Sequence, residues 1–217
     1  MPGRLIAIGD IHGCSLALRA VLDAIDPRAD DTIVGLGDYV DRGPDACGVV
    51  EMLRALRGRT RLVAILGNHD EMMLKVCGGR RDLFTDWLLF GGHATLNSYH
   101  TLLPAGIWPK HLEFLEACPL VYETERHFFV HGSYREEMPL GEQSRDVLLW
   151  ESLKHRRPGP HVSGKIAIVG HSSQKSGRIL DLGYLKCIDT WCYGNGWLTA
   201  LEVNTGRIWQ ADKEGRR

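Results

Sequence analysis

The 217-residue chain has no long apolar run. Its first, Leu5–Ile8, stops at Gly9-Asp10, too soon for a secretory leader, and nothing approaches the ~18–20 residues of a membrane span. A soluble, cytoplasmic protein with no membrane partner is therefore expected. A basic excess is missing as well: 26 Lys plus Arg stand against 27 Asp plus Glu. Binding a nucleic acid polymer by bulk charge is not expected from that balance. The six cysteines (Cys14, Cys47, Cys77, Cys118, Cys187 and Cys192) contain no C-x-x-C pair, which argues against a zinc ribbon or a thioredoxin-type site. They read as reduced packing residues. Repeats and low-complexity tracts are absent, and the one Pro/Gly/basic stretch, 154–164, is too short to act as a linker between domains. Residues 1–217 read as a single domain, large enough to need no staple. What the chain does hold is 10 His and 25 Gly at average charge, a hint of a metal site on tight loops.

Apolar runs at 5–8, 32–36, 62–66, 128–130, 166–169 and 184–188 predict buried strands. The runs 198–203 and 207–210 flank Asn204-Thr205-Gly206 and predict a hairpin. Helical spacing predicts helices over 16–25, 49–56, 71–76, 82–90 and 110–117. Ser15 is the expected N-cap of the first, Pro27 its stop, and Pro44 falls at the expected first turn of the second. The fold class is α/β.

Five of the strands end in polar clusters: Gly9-Asp10-Ile11-His12-Gly13, Gly37-Asp38-Tyr39-Val40-Asp41-Arg42-Gly43, Gly67-Asn68-His69-Asp70, His131-Gly132 and Gly170-His171. Ligands of open α/β sheets bind beyond the carboxyl ends of strands. A mixture of Asp, Asn and His suits Mn²⁺, Fe or Zn²⁺ better than Ca²⁺. Two ions ~3.5–4 Å apart need a bridging group, and Asp38, on the central loop, is the best placed. Water held between two cations becomes a nucleophile near neutral pH, and the same ions clamp phosphoryl oxygens. Arg42 adds a fork that matches two of those oxygens.

The set GDIHG, GDYVDRG, GNHDE, VHGS and VGHS, in this order, resembles the calcineurin-like metallophosphoesterases, and within them the phosphoprotein phosphatase branch. Small bacterial and phage serine/threonine phosphatases are the nearest likeness. Trp87, Gly91-Gly92, Thr95-Leu96 and Tyr99 share it, as does Ile188-Asp189-Thr190. The resemblance implies a β-sandwich flanked by α-helices with a dinuclear site at its edge. It implies Asp10 and His12 on a first metal, Asp38 bridging, and Asn68, His131 and His171 on a second. It makes His69 the general acid, oriented by Asp41, and Arg42 the phosphoryl ligand. Two divalent ions are implied; Mn²⁺ is the expected activator, with Fe and Zn²⁺ also fitting the ligands.

Three departures stand out. Asp70 replaces a frequent Glu, with a modest change expected. Ser173 replaces a second His of the wider superfamily, which favours the phosphatase branch. Ser152 stands where relatives often carry a second phosphate-binding Arg; Arg156 or Arg157 is an alternative source, or 154–157 is a solvated basic turn. Trp191, in place of a frequent Gly, could form an aromatic wall with Tyr193 and Trp197, though hairpin packing is the preferred reading. His93, His100, His111, His127, His155 and His161 match no metal position, with His93 singled out for its place in a family-like segment.

The leading expectation is a phosphatase for phosphomonoesters: phosphoprotein Ser/Thr, with Tyr left open, and small aryl phosphates. The partner is then a phosphorylated protein or a small phosphoester. A symmetrical dinucleoside tetraphosphate hydrolase is the alternative. A metal-stabilised binding module without turnover ranks last, because every required position is filled.

Overall fold

Every apolar run read as a strand is one, and two short strands join them. The structure, a computed structural model, describes residues 3–217. In chain order the strands are β1 Leu5–Ile8, β2 Thr32–Gly35, β3 Arg61–Ala64, β4 Val121–Glu123, β5 His127–Val130, β6 Ile166–Val169, β7 Leu180–Asp181, β8 Leu185–Cys187, β9 Leu198–Glu202 and β10 Ile208–Ala211. The α-helices are α1 Ser15–Ile25, α2 Ala46–Leu56, α3 Asn68–Cys77, α4 Phe84–Trp87, α5 His93–Ser98, α6 Pro109–Glu116 and α7 Arg145–Trp150. None is long and apolar enough to cross a membrane among the described residues.

The strands form two five-stranded sheets, ordered β10-β9-β1-β2-β3 and β4-β5-β6-β8-β7. Strands β1, β2 and β3 are parallel, as are β5, β6 and β8, so these six deliver their carboxyl ends to one edge. The sheets meet through Ala7, Val34, Leu36, Ile65, Phe129, Ile168, Ile188, Leu201 and Val203, all buried. Helices α1, α2, α3 and α6 cover the outer face of the first sheet. The second sheet packs its other face on Tyr134, Leu140, Leu148 and Leu153. This is a β-sandwich flanked by helices.

Local chemistry corrects several helix boundaries. Ser15 is the first helical residue of α1 rather than its cap; Cys14 precedes it, and no side chain caps that end. Helix α2 starts later than Pro44 suggested, because the Asp45 carboxylate accepts from the Gly48 N–H and sets the N-terminus. The run 82–90 is broken into a 3₁₀ turn, α4 and a π-type turn, Leu88–Gly92, that is kinked at Gly91, whose φ is +115°. All six cysteines are free thiols.

One buried ion pair fastens the start of the chain. Arg4 donates to Asp31 at 2.5 Å and also to the carbonyls of Ile25 and Asp26, which close α1. Burial alone would raise the Asp31 pKa, but the Arg4 side chain and the N–H groups of Arg28 and Arg4 outweigh it and pull it down to about 2. A depressed carboxyl stabilises the fold above its unfolded pKa of ~4 and loses that contribution as pH falls towards 2. Asp31→Asn is therefore expected to cost about 2–4 kcal/mol at pH 7 in urea unfolding. The gap to wild type should close on acidification; a gap independent of pH would refute this account.

Candidate metal centre

The polar clusters lie at the shared strand edge, and their backbones are strained. His12, Asp38, Asp41, Arg42 and His171 all have φ between +45° and +68°, a left-handed region that costs energy outside glycine. Such strain persists only where surrounding structure enforces it. Asp70 is one enforcer: its buried carboxylate accepts N–H bonds from Asp38 (2.8 Å), Tyr39 (3.0 Å) and Gly67 (2.9 Å). It thus pins the loop after β2 to the start of α3.

Two groups of donor atoms converge, His12–Asp38–His69 and Asp38–His131–His171, and Asp38 belongs to both. The ring orientations decide what can bind there. His131 donates from Nδ1 to the Leu36 carbonyl at 2.7 Å, which leaves Nε2 with a bare lone pair. His171 donates to the Trp150 carbonyl, which leaves Nδ1 bare. These two nitrogens lie 2.9 and 3.0 Å from Oδ1 of Asn68, itself an acceptor. Lone pairs gathered with no hydrogen between them repel unless a cation lies among them. His12 likewise donates from Nδ1 to the Val40 carbonyl (3.0 Å) and turns Nε2 to within 3.4 Å of Asp38 Oδ2.

Charge points the same way. Burial, with the neighbouring charges of Asp189 and Asp38, holds the Asp10 pKa well above the carboxylate range. Burial also opposes ionisation of Asp38, but the imidazoles of His131, His69, His12 and His171 reverse it and lower that pKa. Burial lowers His12 strongly and takes His171 to about 4, so both rings are neutral, the form that ligates. The donor set therefore fits divalent cations: His12 and Asp38 on one side, and Asp38, Asn68, His131 and His171 on the other. Asp10 stands outside both groups. Its two oxygens accept from the His171 N–H at 3.0 and 3.1 Å, tying the end of β1 to the loop after β6.

His69 has both ring nitrogens engaged elsewhere. Nδ1 bonds Asp41 at 2.8 Å, and Nε2 accepts from Arg42 at 2.8 Å. Burial works against an imidazolium here, yet the Asp38 and Asp41 carboxylates prevail and the pKa is raised. Arg42 also reaches His12 Nε2 at 3.0 Å, and its guanidinium lies 4.5 Å from the Tyr193 ring centroid.

Asp41 and Arg42 are held by the 87–99 segment. The Trp87 indole N–H donates to the Asp41 carboxylate at 3.0 and 3.1 Å, and the Thr95 hydroxyl donates to it at 2.7 Å. The Gly91 carbonyl accepts from the Arg42 N–H, and a Cβ on Gly91 would stand only 2.7 Å from that nitrogen. Sequence motif alone marked these residues without showing their task.

Other expectations divide. Arg156 is turned away, bonded to Glu136 at 2.5 Å and to the Tyr134 carbonyl. Tyr193 does wall the site, with its ring 4.9 Å from that of His12, and Trp191 leans on Tyr193. Trp197 instead packs on Gly177, outside the predicted hairpin. His93 is exposed and bonds only the Leu88 carbonyl, whereas His111 is buried between Tyr99 and Glu51. Reading by residue type missed Tyr193 as a neighbour of Arg42, and it missed Glu71. The Glu71 carboxylate accepts from the Trp150 indole at 3.0 Å and so steadies the residue whose carbonyl orients His171.

Comparisons with known proteins agree with this geometry. A symmetrical bis(5'-nucleosyl)-tetraphosphatase of Janthinobacterium sp. (strain Marseille) is 31% identical over 158 residues, 71% of this chain. The chain spans only about half of that relative's length, 51%. Serine/threonine-protein phosphatase 1 of Salmonella typhimurium is 28% identical over 90% of both chains. A solved structure described as a candidate diadenosine tetraphosphatase superposes with a TM-score of 0.73 at 24% identity, covering 97% of this chain and 94% of its own. The calcineurin-like phosphoesterase family model matches residues 3–199, nearly the whole chain and every loop that meets at Asp38. This chain belongs to that family, whose members are metal-dependent phosphoester hydrolases.

Proposed function

We propose that the protein is a phosphomonoester hydrolase acting on phosphoserine and phosphothreonine of proteins and on small aryl phosphates. The carrying observation is the bare-lone-pair cluster of His131, His171, Asn68 and Asp38, set beside a His69–Asp41 pair and the Arg42 guanidinium. When bound, two divalent ions supply the acidity that makes water a nucleophile and positive charge against the phosphoryl oxygens. Asp38 would be the shared ligand, with Asn68, His131 and His171 on one ion and His12 on the other, where Asp10 would join once its carboxylate turns from the His171 N–H; Mn²⁺ is the proposed metal.

The chain's own residues do the rest. A phosphoryl group entering between Arg42 and His69 exchanges their mutual bond for one to each. Arg42 then neutralises two oxygens. Once Arg42 has turned to the phosphoryl group, His69, with Nδ1 fixed by Asp41 and its pKa raised, takes up a proton from water at Nε2 and passes it to the leaving oxygen. Tyr193 backs the guanidinium and narrows its approach to one side.

The second reading, hydrolysis of a dinucleoside tetraphosphate, is favoured by the 31% identical relative of that activity and by Ser152, a small residue where a second phosphate-binding Arg was expected. A panel on the Mn²⁺-loaded protein separates the two: phosphoserine, phosphothreonine and phosphotyrosine peptides, diadenosine tetraphosphate and a phosphodiester. Monoesters are expected to exceed the diester in kcat/KM by roughly a hundredfold, because His69 and Arg42 serve a terminal phosphoryl group. Preference for the diester, or no turnover of any member, would overturn the proposal. Higher efficiency on the tetraphosphate would select the second reading.

A further inference from the structure

Beyond Arg42 the site continues as a track of two rings between two cations. The Arg42 guanidinium lies 4.5 Å from the Tyr193 ring, Tyr193 meets Trp191 at 6.3 Å, and Lys175 Nζ lies 5.2 Å from the Trp191 ring. Trp191 is a costly choice at its position. Its φ is +65°, which favours glycine, and Gly194 carries no Cβ where one would stand 2.2 Å from the indole. Asp189 Oδ1 accepts from the Trp191 N–H at 2.9 Å and holds that strained backbone.

The track opens into a cavity of about 390 Å³ lined by Lys154, Arg157, Ser173 and Lys175, with Leu153 and Leu180 below. It lies two residues past His171. Its two walls are fastened together: the buried Ser172 hydroxyl accepts from the Leu153 N–H at 2.8 Å and bonds the Ser152 hydroxyl at 3.1 Å. Lys154, Arg157 and Lys175 are exposed, and none has an ion-pair partner among the described residues. Many of the other cations do, including Arg135, Arg145, Arg156 and Lys186. The cavity lining holds no acid. Three like charges brought to one cavity repel one another and attract a multivalent anion.

We infer that this cavity binds a second phosphoryl group of the substrate, beyond the one cleaved, with the chain between them lying along Tyr193 and Trp191. The inference rests on the hydrolase reading for the position of the first phosphoryl group. A doubly phosphorylated peptide and a nucleoside polyphosphate both supply that chemistry.

The test measures binding without turnover on the Mn²⁺-loaded full chain, wild type against a Lys154→Ala/Arg157→Ala/Lys175→Ala variant. One arm titrates a peptide with two phosphonate mimics of phosphoserine against its single-phosphonate form. The other titrates a methylene-bridged dinucleoside tetraphosphate against the nucleoside monophosphate. Wild type is expected to favour the member with more than one phosphoryl or phosphonate group in at least one pair by about tenfold or more, and the variant to lose that preference. The arm that responds names the source. No preference in wild type, or the same preference in the variant, overturns the inference. Failure of wild type to hydrolyse any phosphoester would sink the hydrolase reading alone, since neither arm depends on cleavage.

Discussion

Asp38→Asn lowers kcat at least about a thousandfold, roughly 4 kcal/mol of barrier, while the protein stays folded. Asn matches Asp in size and tolerates the +53° φ found at this position. It keeps one oxygen to accept from the His69 N–H, a 2.9 Å bond in the native site. What disappears is the negative charge that both donor groups share and the second oxygen. With Oδ1 3.4 Å from His131 Nε2 and Oδ2 3.4 Å from His12 Nε2, Asp38 is the one carboxylate in both donor groups among the described residues. Steady-state kinetics on nitrophenyl phosphate with saturating Mn²⁺, alongside circular dichroism, checks the effect. A folded variant with near-native kcat would refute the shared role of Asp38.

His69→Asn separates proton donation from binding. On a phosphoserine peptide, whose alkoxide is a poor leaving group, the expected loss is about 10²–10⁴-fold in kcat. Nitrophenolate leaves without a proton, so nitrophenyl phosphate should lose no more than about tenfold. Asn keeps a side-chain donor towards Asp41, which also accepts from Trp87 and Thr95 and so remains satisfied. Measured kcat ratios for the two substrates decide the matter. Equal losses would show that His69 holds the phosphoryl group and does not protonate the leaving oxygen.

The strand-end clusters were legible because buried parallel strands are apolar throughout, so the polar residue that ends each one is conspicuous. Asp10, Asp38, Asn68, His131 and His171 all stood out in that way. Short elements left no such trace. Strand β7 has two residues and α7 six, too few for either period to register. The break at Gly91 overrode the helical spacing of 82–90, because Arg42 needs its backbone approached closely. Positive φ at His12, Asp41 and His171 had no local signal at all, since it is imposed by hydrogen bonds from residues distant in the chain. For His69, residue type alone would allow a metal ligand; the family resemblance separated it as the general acid, and the Asp41 and Arg42 contacts on its two nitrogens agree with that separation.

Two cation sites joined at Asp38 set how many ions each variant can hold. After dialysis against Mn²⁺ and removal of free metal, elemental analysis of the wild type should give two ions per chain. Asp38→Asn should bind neither tightly, whereas His171→Ala, which strips a ligand from one side only, should retain one. One ion in the wild type, or two retained by Asp38→Asn, would contradict the account.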